Sequence, residues 1–320
     1  MPKRQAVAPL SNLNQLAESY SPPEQFYVAD LVAPRISVDS SRFAYLTFDS
    51  IRQQLLQNNV RAPLGTVESV DWDVSENTGM TVEKALQSRI DRKTVVDFGR
   101  AIAEGRAMRA VKDNLLIQKE ERVRSLIQTT SNYASSSYYT DLSTATDKWN
   151  DFENSDPEDD VRVGIKQIMQ EAHIMPNTLM VPYEVAEKLV QHPAVRDVLI
   201  RDGKGSGSEA FGNEIDRLGL PSTLWGLNVM VPKVTYVNTN PGQTEASTFL
   251  WAKDVWVGHV ASSIATDTPS FAYQFTSVNL NFSLGDDGRA GGGEYVEGYE
   301  DDLEKVVGTR MGYLIQNAVA

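Results

Sequence analysis

The sequence predicts an α+β protein, with helices and strands in one compact region around a central sheet, and three observations carry that prediction. Residues 155–201 read as helix, proline turn, short buried strand and second helix in unbroken succession. Short apolar strands follow at 227–231, 235–238, 248–252 and 255–260, with Pro-Gly and Lys-Asp turns between them. Residues 95–128 carry the longest helical pattern, through Phe98, Ile102, Met108, Val111, Leu115, Leu116, Val123, Leu126 and Ile127.

Composition narrows the chemistry. At 320 residues the chain can bury two or three cores without staples. With no cysteine, disulfides, thiolate metal sites and cysteine nucleophiles are excluded by counting, and a reducing compartment suits the chain. Nowhere does an apolar run approach the about 18 residues needed to span a bilayer, and the N-terminus has no signal-peptide core. The net charge of -13 is segregated. Residues 81–128 hold eleven Lys and Arg against seven Asp and Glu. Residues 141–160 and 285–304 hold eight acids each against one base. Acidic loops of this kind are usually solvated surface, but complementary patches on one chain also suit self-association. So acidic a chain is a poor sequence-specific nucleic-acid binder.

Taken in order, residues 1–38 look like an arm. They are polar, carry five prolines, and offer scattered apolar anchors at Leu10, Leu13, Leu16, Phe26 and Tyr27. Such an arm is either disordered or ordered by lying on another subunit. Residues 42–48 are aromatic and β-prone, and Val70, Trp72 and Val74 alternate with polar residues as in a half-buried strand. Residues 80–90 read two ways, as a helix through Val82, Leu86 and Ile90 or as a returning strand followed by a loop. Gly99 and Gly105 weaken the start of the long helix, so its firm part runs from Ala107 to Thr129.

In the 155–201 block, Ser155 is the expected N-cap, with Pro157 in the first turn and Glu158 completing a capping box. Val161, Ile165, Ile168, Met169 and Ala172 form one apolar stripe, and Pro176-Asn177 is the expected break. Pro182 opens the second helix, which ends at His192-Pro193. A glycine-rich loop covers 202–214. In 271–285 the alternation of apolar residues changes phase at Thr276-Ser277, which in one strand requires a β-bulge or bend. The acidic, glycine-rich residues after it read as a flexible loop or hairpin tip, and an apolar strand near Met311 to Ile315 closes the chain.

No constellation for catalysis stands out. His173 and His192 sit at expected helix C-termini, where a partial positive charge suits the dipole, and His259 reads as a strand side chain. The segment 203–212 lacks the phosphate-loop pattern, and the acidic runs lack calcium-loop spacing. No catalytic, cofactor-binding or metal residue is assigned, and no cofactor is expected.

The order of these segments resembles the major capsid proteins of tailed bacteriophages, with the Hong Kong 97-like fold that is shared with encapsulin shells. The likeness rests chiefly on SDPEDDVRVGIKQIMQEAHIMPNTLMVPYEVAEKLVQHPAVRDVL, with Asp-Pro, helix, PNTL strand and a helix ending in HP-x-V. VAPRISVDSSRFAYLTFD, RAPLGT, VDWDVS, LIQKEERVRSLI and GYLIQNAV extend it over nearly the whole chain. The resemblance implies an N-terminal arm at 1–38 and an extended two-stranded loop at 39–91. It implies a peripheral domain with the spine helix at 92–155, completed by 263–308, and an axial domain at 156–262, completed by 309–320. It further implies hexamers and pentamers of the chain closing into an icosahedral virion shell around double-stranded DNA, which the shell contacts non-specifically. Assembly would take place in the host cytoplasm with a separate scaffolding protein, a portal and a candidate decoration protein, and with no membrane. Assembly candidates are Arg61 and Trp72 in the two-stranded loop, Arg92 and Lys93 in the basic stretch, and Glu120 in the spine. Gly203 and Gly205 near the capsomer axis, and Glu300, Asp301 and Asp302 in the acidic loop, complete the set. From the charge segregation, the basic stretch 81–128 would meet the acidic loops at 141–160 or 285–304 of a neighbour. An encapsulin-like compartment shell is the alternative. An α+β hydrolase is a distant one, since it needs a nucleophile or base that the sequence does not display.

Overall fold

The computed structural model describes residues 11–20, 27–48, 75–144, 148–196, 220–239, 242–243, 246–265, 267–286 and 293–320. Two sheets share one long helix. The first sheet has the order β1-β12-β13-β4, built from β1 (Arg35–Ser37), β4 (Val82–Ile90), β12 (Ala272–Asp286) and β13 (Glu294–Val306). The second has six strands in the order β5-β14-β11-β6-β8-β7: β5 (Tyr139–Asp141), β14 (Gly312–Gln316), β11 (Val255–Gly258), β6 (Thr178–Met180), β8 (Leu227–Met230) and β7 (Thr223–Leu224). Two antiparallel pairs stand apart, β2 (Arg42–Thr47) with β3 (Ser75–Met80), and β9 (Thr235–Val237) with β10 (Ser247–Phe249).

The spine is α4 (Arg100–Gln128), preceded by α3 (Arg92–Phe98). It starts earlier than Ala107 because the chain needs only Gly99, at φ 86, to separate the two helices. Gly105 is buried inside the helix, where a Cβ would stand 3.5 Å from Leu16. Small residues here let a second helix approach. That helix is α1 (Ser11–Ser19), whose Leu13 and Ala17 join Ala103, Ala107, Met108, Val111, Leu115, Phe282 and Val296 in one core. A larger core holds Val123 and Ile127 from the far end of the spine, and the central sheet.

The arm expectation is corrected within the described residues. Residues 11–20 and 27–37 lie on their own subunit: α1 and α2 (Ala29–Val32) pack on the spine, and β1 adds a parallel edge strand to β12. Ladder donors are not denied there, because Pro34 precedes the strand and its carbonyl accepts from Gln274 N at 3.0 Å. The ambiguous stretch 80–90 is a strand to its end, paired with β13 without interruption from Val82↔Asp302 to Ile90↔Glu294. The phase change in β12 is a bulge: Thr276 opposes Asp302 but Val278 opposes Asp301, so Ser277 is the extra residue. A second register shift follows before Asn281.

The helix α5 (Pro157–Ala172) lies on the central sheet. Asp156, not Ser155, caps it, accepting from Glu158 N at 3.1 Å and Asp159 N at 3.2 Å. Glu158 is thereby one position too early for a capping box and pairs instead with Arg162. The helix ends before Pro176, at His173 in the left-handed conformation (φ 56). Met169 is exposed, and Gly164 takes the central place in the stripe, because a Cβ there would stand 2.8 Å from the Tyr313 ring. The helix α6 (Tyr183–Gln191) follows β6, opened by Pro182 and closed at His192. The strand β5, which the sequence division groups with the spine helix, pairs parallel with β14 in the central sheet.

Candidate functional site

One carboxylate ties the spine to the start of α2 and to the loop before β11. Glu120, in the middle of the spine, is fully buried. Its Oε1 accepts from Val28 N at 3.1 Å and from the Trp251 indole Nε1 at 2.7 Å, and its Oε2 accepts from Ala29 N at 2.9 Å. Val28 and Ala29 open α2, so the carboxylate satisfies donors that the short helix leaves without partners. Burial pushes the Glu120 carboxyl above its ordinary range, and the hydrogen bonds from Val28, Trp251 and Ala29 oppose that only in part. Beside it Lys119, nearly closed to solvent, pairs with Asp30, which also takes Arg35 at 3.1 Å. Burial pushes the Lys119 ammonium down. Burial works the other way on Asp30, but Lys119 and Arg35 outweigh it and hold that carboxyl below its usual value.

A second polar cluster lies between the spine and the four-stranded sheet. Arg122 reaches Glu304 at 2.8 Å, Glu300 at 3.3 Å and Asp302 at 3.5 Å. Lys84 of β4 pairs with Asp302 and with Glu304 at 3.1 Å, and Gln274 of β12 donates to Asp302. Asp302 is fully buried and Glu300 is 4% exposed. Burial, with the neighbouring Asp302 adding to it, raises the Glu300 carboxyl. The reading of 285–304 as a flexible loop or hairpin tip is therefore corrected over 294–304, which pair antiparallel with β12. These residues form an interior strand in which Val296, Gly298, Glu300 and Asp302 share the buried face. The carboxylates of Glu300 and Asp302 meet cations of their own subunit, so they are not available to a neighbour's basic stretch.

The remaining candidates fall as follows. Asp301, partly exposed, accepts from Ser277 Oγ at 2.7 Å, at the bulge. Arg92 and Lys93 are exposed on α3, a helix with no buried residue. Val96, Phe98 and Ile102 stand exposed beside them, with Arg106 over the Phe98 ring at 4.9 Å. Arg61, Trp72, Gly203 and Gly205 lie outside the described residues. The acids of 141–160 do local work: Asp156 caps α5, Asp160 accepts the Trp149 indole N–H at 2.8 Å, and Asp141 accepts from Asn317 at 2.9 Å. Sequence reasoning missed Lys84, Lys119, Arg122, Trp251 and Asp30, each of which has a partner distant in the chain, although Asp30 also has Arg35 five residues away.

A serine and a histidine meet at Ser155 Oγ and His192 Nε2, 3.1 Å apart. The bond directions are those of a structural contact. His192 Nδ1 accepts from Ala194 N at 3.2 Å, which leaves the ring proton on Nε2, and Ser155 Oγ donates to the Asp151 carbonyl at 2.5 Å. The histidine is then donor to the serine, opposite to what an activated nucleophile needs. Among the described residues, no group of three or more His, Asp and Glu is placed to hold a metal ion, and no helix is long and apolar enough to cross a membrane.

No protein-family model matches the sequence, and no curated protein matches it. Solved structures do match in shape. A phage-related protein from Bordetella bronchiseptica RB50 superimposes with a TM-score of 0.71 over 98% of both chains, at 21% identity. The capsid structure of the cyanophage P-SCSP1u gives 0.58 over 93% of this chain and 90% of that one, at 11% identity. The mature capsid of bacteriophage PhiM1 gives 0.56 over 93% and 89%, at 12% identity. This likeness in shape over almost the full length gives the chain the Hong Kong 97-like fold of phage capsid structures.

Proposed function

We propose that this chain is a major capsid protein, which self-assembles as hexamers and pentamers into an icosahedral shell enclosing double-stranded DNA. The observation that carries the reading is the likeness in shape to phage capsid structures along nearly the whole chain. The polar clusters support it. They join the spine to segments distant in the chain, Arg122 to Glu304 and Glu120 to Trp251. On this reading residues 1–38 are the arm, 39–91 the two-stranded loop, 92–155 with 263–308 the peripheral domain, and 156–262 with 309–320 the axial domain, except that β1 and β4 pair within the peripheral sheet and β5 within the central one. The shell would assemble in the host cytoplasm with a separate scaffolding protein and a portal, and the chain would have no enzymatic role.

Negative-stain microscopy of the purified chain tests this. Closed shells or hexameric rings are expected, and small discrete oligomers under all conditions would overturn the proposal. Nuclease-protected DNA in particles from infected cells separates a virion shell from an encapsulin-like one, which would hold a cargo enzyme.

A further inference from the structure

The nine-residue strand β4 stands at one edge of the four-stranded sheet, while the other edge carries the three-residue β1. Its pairing with β13 is regular throughout, and the two irregularities of the sheet lie inside, between β12 and β13. Glu83, Ala85, Gln87 and Arg89 are exposed, alternating with the half-buried Lys84, Leu86 and Ser88 that face the spine side. Edge strands are normally blunted by proline, bulges, shortness, charged side chains or covering elements, and of these β4 has only the charges of Glu83, Lys84 and Arg89. The strand has no proline, glycine or bulge, and no described strand covers its outer side.

We propose that β4 is the contact strand of a two-fold symmetric pair, in which the outer edges of two copies join antiparallel about Leu86. The inference rests on the reading of the chain as self-assembling and names one of its contacts. The strand is complementary to itself in one register. When Val82 lies opposite the partner's Ile90, all nine residues are used, Glu83 faces the partner's Arg89 and Arg89 faces the partner's Glu83. Lys84 then faces the partner's Ser88, and Ala85 the partner's Gln87. Both charge pairs lie on the exposed face, where cross-strand pairs of opposite sign stabilise a ladder. A shift of two residues shortens the ladder and sets Glu83 against the partner's Gln87 or the partner's Asp91. A shift of one sets the outward face of one strand against the inward face of the other. Self-complementarity about one residue is what an isologous two-fold contact requires. The axis stands normal to the sheet, so both spine helices lie on the same side of the joined sheet.

The chain has no cysteine, which permits a clean cross-linking test. Ala85→Cys with Gln87→Cys places each new thiol opposite its counterpart in the partner, within disulfide reach. Mild oxidation of the assembled full-length double variant is expected to give at least about tenfold more covalent dimer than either single variant. In that background Glu83→Arg or Arg89→Glu alone lowers the dimer yield, and the two together restore it. Circular dichroism of each variant checks that the subunit is folded. Shells that form without cross-linking, or a charge swap that fails to restore the yield, overturn the edge pairing and leave the capsid reading intact. Cross-linked dimers with no larger particle support the pairing and count against the capsid reading.

Discussion

Trp251 donates its indole N–H to the carboxylate of Glu120 at 2.7 Å, and both side chains are closed to solvent. The bond joins the spine to the loop before β11, while the same carboxylate holds the start of α2. Glu120→Ala leaves three buried donors without an acceptor. It is expected to lower stability by about 3 kcal/mol, the upper end of the cost of orphaned buried polar groups. Glu120→Gln keeps the oxygen that serves Val28 and Trp251 but turns an amide N–H toward Ala29 N, so it should cost about half as much. Urea unfolding of the three proteins decides this, and equal losses for Ala and Gln would show that the carboxylate is not the anchor.

The raised Glu120 carboxyl sets a pH dependence whose sign can be stated. The folded chain takes up a proton at Glu120 at higher pH than the unfolded chain does. Between neutrality and the ordinary glutamate value of 4.5 the folded state therefore binds more protons, and the contribution of this group to stability increases as pH falls. Glu300, also raised, acts in the same direction. The advantage of wild type over Glu120→Gln in urea midpoint should therefore widen as pH goes from about 7 to about 5. A constant difference over that range would contradict the shift.

The cluster around Asp302 carries the next expectation. Arg122 is shared by Glu300, Asp302 and Glu304, and Lys84 by the last two. Removing one partner leaves buried charge uncompensated, which costs more than the intact pair contributes. Arg122→Ala should destabilise the subunit by about 3 kcal/mol, near the low end for such sites because the guanidinium is partly exposed. The loss should change little with salt, since ions screen buried pairs weakly. Reversing Glu300 and Asp302 to lysine should prevent folding of the subunit before any question of assembly arises. A soluble, folded double reversal by circular dichroism would refute the buried placement.

Which features could be read beforehand follows from how local their causes are. The bulge at Ser277 was visible because a phase change in alternation is a property of neighbouring residues. The helices after 155 were visible for the same reason, yet Ser155 and Asp156 can both cap, and only the path of the chain selects Asp156. The strand β13 was hidden because its buried face reads Val296, Gly298, Glu300, Asp302, which no hydropathy pattern distinguishes from a loop. Its counter-charges Lys84 and Arg122 stand 218 and 180 residues away from Asp302. Glu120 likewise finds its donors 91 to 131 residues away. A glycine-rich acidic run and a lone helical glutamate look like solvated surface until the tertiary fold supplies their partners.

Gly298 gives the sharpest packing test, because it lies where the spine presses on the sheet. A Cβ built there would stand 2.7 Å from Val111 Cγ1, 2.9 Å from the Phe282 ring and 3.2 Å from Leu115 Cδ1. All three neighbours belong to the core that α1, the spine and β12 share, so none has open space to retreat into. Gly298→Ala should therefore cost about 1–3 kcal/mol, the usual penalty of overpacking, although alanine is the better strand residue. The remedy is specific. Val111→Ala alone removes two methyl groups from that contact and should also destabilise, by about 2 kcal/mol. In the double variant the new methyl occupies part of the space that valine vacates, so the combined loss should be smaller than the sum by about 1 kcal/mol. A strictly additive double variant would mean that the spine and the sheet are not in contact at Gly298.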